Sequence, residues 1–442
     1  MLPEPTLTFT LPSLHDGLAL NCRVYHPHSL SPSPHAPPWQ KHVAIVAHPY
    51  APLGGCYDDP VVDMVAATLL RLGFLVGTFN FRGAHGSAGR TSWTAKAEKA
   101  DYMSMIGFMS YYVHFLDPFR QPPAEAPRVS EVQIRTTPAS PTLSSPSVPS
   151  PSAATTPVLL LGGYSYGAMI TSQLPPVEPI LAPFETPKFG CPAAEIRLRA
   201  EHLADMQNTV LASARIAALD HLGERSPRKS LGLRIGGDEE NRKSHDSRRS
   251  FSLDPEDKIC KGVAELMAKA KMKRKQPGTP EDKVHEPALE SLLPVAGRIK
   301  HQPAYLLISP LQGVITNLAT MSFPVPFSGV SRRASTWGPG RSAKTNPPQD
   351  DAKRNTPVGV PLPDAEDKLV SNPTLAIYGD SDVFVAARKL RDWSFRLQHV
   401  PDSKFRAHEV SSAGHFWVQG NVAPIMRDAV KTFAGGVLHG EL

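Results

Sequence analysis

The segment from Val158 to Ile170 constrains this chain more than any other. Val158, Leu159, Leu160 and Leu161 are an unbroken apolar run. Gly162, Gly163, Tyr164, Ser165, Tyr166 and Gly167 follow at once, and Ala168, Met169 and Ile170 open a second apolar stretch. A short continuous apolar run suits a strand buried on both faces. The residues after it read as a helix. The turn between the two must be very tight, so it needs small residues at positions 163 and 167 and holds Ser165 in strained backbone geometry. A Gly-x-Ser-x-Gly match arises by chance about 0.2 times in a chain of this length and glycine content. The strand before it and the helix after it set this match apart from a turn that merely exposes a serine. The helix N-terminus behind Ser165 would favour negative charge developing there.

The rest of the chain supplies strands and helices in alternation. Residues 7–9 and 18–25 alternate apolar and polar side chains around the turn His15, Asp16, Gly17, as a half-buried antiparallel hairpin does. Val43–Ala47, 74–80, 305–309, 374–378 and Phe405–Val410 are further short strand-like runs. Helical spacing appears over 58–72, where Gly73 ends the helix, and over Lys96–Phe115, 385–397 and 423–433. This alternation predicts a mostly parallel sheet covered by helices on both faces, after an antiparallel start.

Three stretches interrupt that pattern. The 46 prolines are about twice the usual share, and they cluster where apolar periodicity is weakest. The expected organisation is an N-terminal part of the core over 1–120, a disordered Pro/Ser/Thr-rich linker over 121–156, and the serine-bearing strand–turn–helix over 157–174. An insertion over 175–303 follows, with a core strand and helix at 304–321, a second disordered linker at 322–371, and the C-terminal part of the core at 372–442. Within the insertion, 195–222 has helical spacing, 227–252 reads as disordered, and 257–275 as a short basic helix. The net charge is +6. Residues 223–275 hold 15 Lys/Arg and 9 Asp/Glu, and 15 − 9 = +6, so this one segment carries the whole excess. A localised basic, Ser-rich insertion reads as a solvated segment rather than a phosphate-binding face, and no nucleic-acid partner is expected.

Cys22, Cys56, Cys191 and Cys260 are too scattered for a CxxC motif and read as free thiols of a reducing compartment. The opening Met1-Leu2-Pro3-Glu4-Pro5 lacks the basic and apolar regions of a signal peptide. No apolar run reaches the length of a membrane span. The expectation is a cytoplasmic protein of unspecified oligomeric state.

A serine nucleophile needs a base and a group that orients the base. Gly379, Asp380, Ser381 and Asp382 directly follow the strand ending at Tyr378, and an acid there lies on the sheet edge where α/β sites are built. Asp380 and Asp382 are both candidates. Asp382 is favoured because it lies further into the loop, and Asp380 suits a turn-stabilising role. His415 follows Ser411, Ser412, Ala413 and Gly414 after the last strand, and precedes Phe416 and Trp417. One oxyanion donor should be the N–H of Tyr166, the residue after the serine. The second should come from the loop after Val43–Ala47. Pro49 and Pro52 have no N–H, which leaves Tyr50 as the choice and Ala51 as the fallback. His48 reads as a brace of that loop, with a role as alternative base less favoured. Arg82 could shape the pocket but better fits a structural ion pair. Cys56 and Asp59 lie near the expected mouth with no assigned role.

Taken together, His48–Gly55 (with Pro49, Tyr50, Pro52 and Gly54), Phe79–Ser87 (with Arg82, Gly83, His85 and Gly86), Gly163–Gly167, Gly379–Asp382 and Gly414–Phe416 resemble the α/β-hydrolase superfamily. The similarity is to serine hydrolases related to serine aminopeptidases, prolyl-oligopeptidase-like and dienelactone-hydrolase-like enzymes. It covers 5–118, 157–174, 304–318 and 372–438. The resemblance implies a triad of Ser165, Asp382 and His415. It does not account for the three insertions, but the one over 175–303 falls where related hydrolases often place a lid, which makes a helical lid the expectation there.

Two functions follow as expectations. The first is a serine hydrolase, carboxylesterase-like, acting on a small ester, thioester or amide with no metal or cofactor; a serine aminopeptidase-like peptidase is the variant, disfavoured because no acidic anchor for a substrate amine is recognisable. The second is a non-catalytic interaction scaffold regulated through the basic segment, where Ser250 and Ser252 behind Arg248-Arg249, and Ser335 behind Arg332-Arg333, look like phosphorylation sites and 271–275 resembles a nuclear-import patch.

Overall fold

The computed structural model describes residues 1–119, 156–223, 261–262, 291–312 and 364–442. Eight strands form one sheet: β1 Leu7–Pro12, β2 Ala19–Tyr25, β3 Val43–Ala47, β4 Leu75–Phe79, β5 Val158–Tyr164, β6 Gln302–Ile308, β7 Thr374–Gly379 and β8 Phe405–Val410. Their order across the sheet is β1-β2-β4-β3-β5-β6-β7-β8. β2 pairs antiparallel with β1 and β4, and every pair from β4 to β8 is parallel.

Eight α-helices accompany the sheet among the described residues: α1 Pro60–Arg71, α2 Lys96–Phe115, α3 Tyr166–Gln173, α4 Val177–Leu181, α5 Pro192–Gly223, α6 Asp364–Ser371, α7 Ala387–Gln398 and α8 Val422–His439. The strands are apolar throughout because both faces are covered. On β3, Val43, Ile45 and Ala47 face a core shared with α2, α3, α5, α6 and α7. Ala44 and Val46 face a second core shared with α1 and α8. The strand–helix alternation predicts this mostly parallel sheet covered on both faces, and the strand order is that of the α/β-hydrolase fold that the resemblance implies.

The topology itself marks a place for a site. The connection from β3 runs to β4 on one side, and the chain then returns to lay β5 on the other side of β3. The strand order reverses there, and ligands of open α/β sheets bind outside the carboxyl ends of strands at such a point. The loop after β3 and the serine turn after β5 are those carboxyl ends.

One expectation needs correction. Residues 364–371 fall in the stretch expected as a disordered linker and form α6 instead. Its Leu369 and Val370 are buried, and so is Lys368. The Lys368 ammonium donates to the carbonyl oxygens of Thr171 (2.9 Å) and Leu174, where α3 ends. Cations suit helix C-termini, which explains why a charged residue can dock this helix. The helical lid expected over 175–303 lies only in part within the described residues. The first part of α5 belongs to the core: Ile196, Leu198, Ala200 and Leu203 are buried, and the helix packs on α2 and β1. Met206, Val210, Ile216 and Leu219, although in helical register, are exposed. No described residue of 175–303 lines the cavity beside Ser165.

The linker over 121–155, the segments 227–252 and 313–363, and nearly all of 257–275 lie outside the described residues. So do Cys260 and the basic Ser motifs. Among the described residues, no disulfide bond joins Cys22, Cys56 or Cys191, and no helix is long and apolar enough to cross a membrane.

Arg82 does what the structural reading expected. Its guanidinium pairs with Asp101 through Nε (3.0 Å) and Nη2 (2.7 Å), and its Nη1 reaches Asp16 at 2.9 Å. Ser13 Oγ accepts from Arg82 at 2.9 Å and donates to Asp101 at 2.6 Å. The β1–β2 turn, the loop after β4 and α2 are thereby tied together. The Asp101 side chain is 0% exposed, so removing the cation would strand a buried charge. Arg82→Met is expected to cost about 3–5 kcal/mol. Arg82→Lys should recover little of this, because an ammonium cannot reproduce the planar two-pronged contact. Urea unfolding of the three proteins measures it; a loss below about 1 kcal/mol for Arg82→Met would show the network to be dispensable.

Candidate active site

Ser165 lies at φ +56°, ψ −112°, a conformation that a residue with a side chain adopts only under constraint. The constraint is visible on both sides. A Cβ at Gly163 would sit 2.3 Å from the backbone of Gly167, and one at Gly167 would sit 2.5 Å from the carbonyl oxygen of Ala47. Only glycine lets β5, α3 and the end of β3 approach so closely. The Ser165 N–H donates to the Ile308 carbonyl at 2.8 Å, which fixes the turn to β6.

The structure brings three of the expected residues together. Ser165 Oγ lies 2.8 Å from His415 Nε2, and His415 Nδ1 lies 2.7 Å from Asp382 Oδ2. A carboxylate can only accept, so Nδ1 carries the proton and Nε2 is the acceptor for the Ser165 hydroxyl. The side chains of Asp382 and His415 are 0% and 3% exposed. The other oxygen of Asp382 accepts the N–H groups of Phe384 (2.8 Å) and Val385 (3.1 Å). Asp380 is placed differently. Its Oδ1 accepts the Ser412 N–H at 2.7 Å and the Ser381 hydroxyl at 2.9 Å, stitching the acid loop to the histidine loop.

His415 is held from several directions. The Tyr164 hydroxyl donates to its carbonyl at 2.9 Å. The Phe384 ring meets the imidazole edge-on at 4.7 Å between centroids. Trp417 Nε1 donates to Ser309 Oγ at 3.1 Å, which anchors the residues after the histidine to the end of β6. Tyr164, Phe384 and Ser309 were not legible as site residues in the sequence, because each acts through a contact between distant loops.

His48 is a brace. Its Nε2 accepts the Phe81 N–H at 2.9 Å, so Nδ1 must carry the proton and donates to the Pro49 carbonyl at 2.6 Å. Burial holds its pKa down to about 4. The loop it steadies carries Tyr50 to the wall of the cavity, and Ala51 does not reach that wall. Tyr166 is the first residue of α3, where backbone N–H groups have no partner within the helix. Among the described residues, neither the Tyr50 nor the Tyr166 N–H has an acceptor. The two residues are neighbours, with ring centroids 5.1 Å apart.

A cavity of about 370 Å³ opens beside Ser165 and His415. Tyr50, Leu53, Leu311, Phe384 and Phe416 make its walls largely apolar, and Asp59 is on its surface. Its size and lining suit a small organic substrate.

No protein-family model matches this chain, and no curated protein matches it. Solved structures do. An α/β serine hydrolase without lid from Xanthomonas campestris is 15% identical, with 98% of this chain and 96% of that chain covered and a TM-score of 0.39. A putative α/β hydrolase from Agrobacterium tumefaciens is 13% identical over 99% of this chain and 97% of its own, with a TM-score of 0.40. An esterase from Pyrococcus furiosus is 10% identical over 97% and 91%, with a TM-score of 0.38. The strand order and the strained serine turn of the chain itself, rather than these likenesses, define the fold.

Proposed function

We propose that this protein is a serine hydrolase of the carboxylesterase type, cleaving an ester, thioester or amide through an acyl-enzyme. The observation that carries the reading is the hydrogen-bonded series Ser165, His415, Asp382 at the edge of an apolar cavity, with the serine in its strained turn. Ser165 Oγ attacks the acyl carbon while His415 Nε2 takes the hydroxyl proton. Asp382 holds the tautomer and stabilises the imidazolium that results. The N–H groups of Tyr166 and Tyr50 receive the oxyanion. Collapse of the tetrahedral adduct breaks the bond to the leaving group, which departs with the proton from His415. Water, deprotonated by the same imidazole, then releases the acid and restores Ser165.

A labelled fluorophosphonate tests the reading, since it phosphonylates only an activated serine. The natural chain should be labelled and Ser165→Ala should not. An unlabelled natural chain, or equal labelling of both, would overturn the proposal. A panel of p-nitrophenyl esters and aminoacyl amides then separates esterase from peptidase.

A further inference from the structure

Asp59 is the one acidic side chain among the described residues that line the cavity, and no lysine or arginine lines it. The residue begins α1 as its N-cap. Its Oδ1 accepts the N–H groups of Val61 (2.8 Å) and Val62 (3.3 Å). Its Oδ2 accepts no hydrogen bond and meets no cation among the described residues. Capping thus uses one oxygen, and a neutral Asn or Ser would cap as well. The helix dipole favours a negative charge at this end, but that attraction leaves Oδ2 without a partner in a cavity that is lined by the polar Tyr164, Ser165 and His415 and is otherwise largely apolar, at Tyr50, Leu53, Leu311, Phe384 and Phe416. A charge in apolar surroundings is costly unless it is paired. The burial is felt: desolvation raises the pKa of the carboxyl, against the pull of the two capped amides and of His415. A cation entering the cavity would supply the missing partner within the same cavity as the serine hydroxyl.

We propose that Asp59 recognises a protonated amine on the substrate, so that the preferred substrates are carboxylic acid derivatives carrying an ammonium group. The proposal rests on the hydrolase reading above and narrows its substrate class. It also supplies the acidic anchor that could not be recognised in the sequence.

The test uses p-nitrophenyl esters of three acyl chains of equal length, ending in an ammonium, a methyl or a carboxylate group. In the natural chain kcat/KM should favour the ammonium ester over the methyl ester on the order of tenfold, with the carboxylate ester the poorest. Asp59→Asn and Asp59→Ser both keep an acceptor for the helix N-terminus, and thermal unfolding reports whether each is folded. In both, the ammonium-to-methyl ratio should fall to about one. The ratio is taken within each protein, so a general change in His415 or in folding cancels. A ratio at or below one in the natural chain, or a ratio that survives in both variants, overturns the amine assignment. Loss of all three activities together with absence of fluorophosphonate labelling overturns the hydrolase reading instead. Labelling with no discrimination between the esters overturns only the role of Asp59.

Discussion

Asp382→Asn should lower ester turnover about 10⁴-fold, whereas Asp380→Asn should change it by no more than a few-fold. Two acids two residues apart thereby acquire opposite expectations, and the hydrogen bonds explain why. In Asp382→Asn, one side-chain atom must still accept the N–H groups of Phe384 and Val385, so it has to be the amide oxygen. The amide nitrogen then takes the place of the oxygen now 2.7 Å from His415 Nδ1. Two donors cannot face each other, so Nδ1 gives up its proton and Nε2 carries it. A protonated Nε2 cannot accept the Ser165 hydroxyl. The fold is kept and the base is lost. Asp380 instead accepts two hydrogen bonds through Oδ1, from Ser412 and Ser381. An asparagine oxygen can accept both. Steady-state kinetics on a p-nitrophenyl ester, with thermal unfolding as the control, decide the matter. The reverse pattern would move the orienting role to Asp380, and small effects in both variants would remove the carboxylate from the chemistry.

The parts of this fold that were readable in the chain share one physical property: their burial is continuous along the sequence. Val43–Ala47, Lys96–Phe115 and Phe405–Val410 have the bounds that their apolar patterns imply. The serine turn was readable because its glycines answer a steric demand, and that demand is met within five residues. Asp382 and His415 were found by order and local context, although nothing in the chain fixes their approach to a serine more than two hundred residues away. The loop-bracing His48 and the ion-pairing Arg82 were legible as structural residues, but their partners were not. What escaped is what tertiary contact decides. α6 contains Asp364, Glu366, Asp367 and Lys368 in eight residues and looks solvated. It is fixed by two apolar side chains, by Glu366, which accepts hydrogen bonds from Trp393 and Arg396 of α7, and by one lysine, which binds the end of α3 and lies over the Tyr305 ring at 5.3 Å. α8 runs on to His439, past Gly435 and Gly436, because Val437 is buried against the second core. Asp59 lies near the mouth expected from the sequence, but its place as the cap of α1 and its unpartnered Oδ2 emerge only from the fold.

Stability should fall steeply as the pH drops from 6.5 to 5, before most carboxylates titrate, and His42 and His48 should contribute to it beside His26 and His301, whose pKa values burial also holds down to about 4. His42 and His48 are 6% and 0% exposed. Each accepts a backbone N–H on a ring nitrogen, from Val158 at 3.0 Å and from Phe81 at 2.9 Å. A protonated ring could not accept these bonds, and burial disfavours the charge as well. Desolvation holds both pKa values down to about 4 from 6.5. The unfolded chain therefore binds more protons than the folded one below pH 6.5. Stability is complete above that value and drains away as the pH approaches 4. Between neutral pH and pH 5 each histidine should remove about 2 kcal/mol, or about 4 kcal/mol for the pair. That is a large share of the stability of an ordinary domain. The effect is also placed where it matters, since His42 joins β3 to β5 and His48 holds the loop that bears Tyr50. Urea unfolding at half-unit pH steps reads the slope directly. His42→Gln offers an oxygen that can accept the Val158 N–H and cannot be protonated, so it should flatten the slope by up to about 1.4 kcal/mol per pH unit. A midpoint that stays level from pH 6.5 to 5, or a slope unchanged in His42→Gln, would mean that these rings are hydrated in the folded protein.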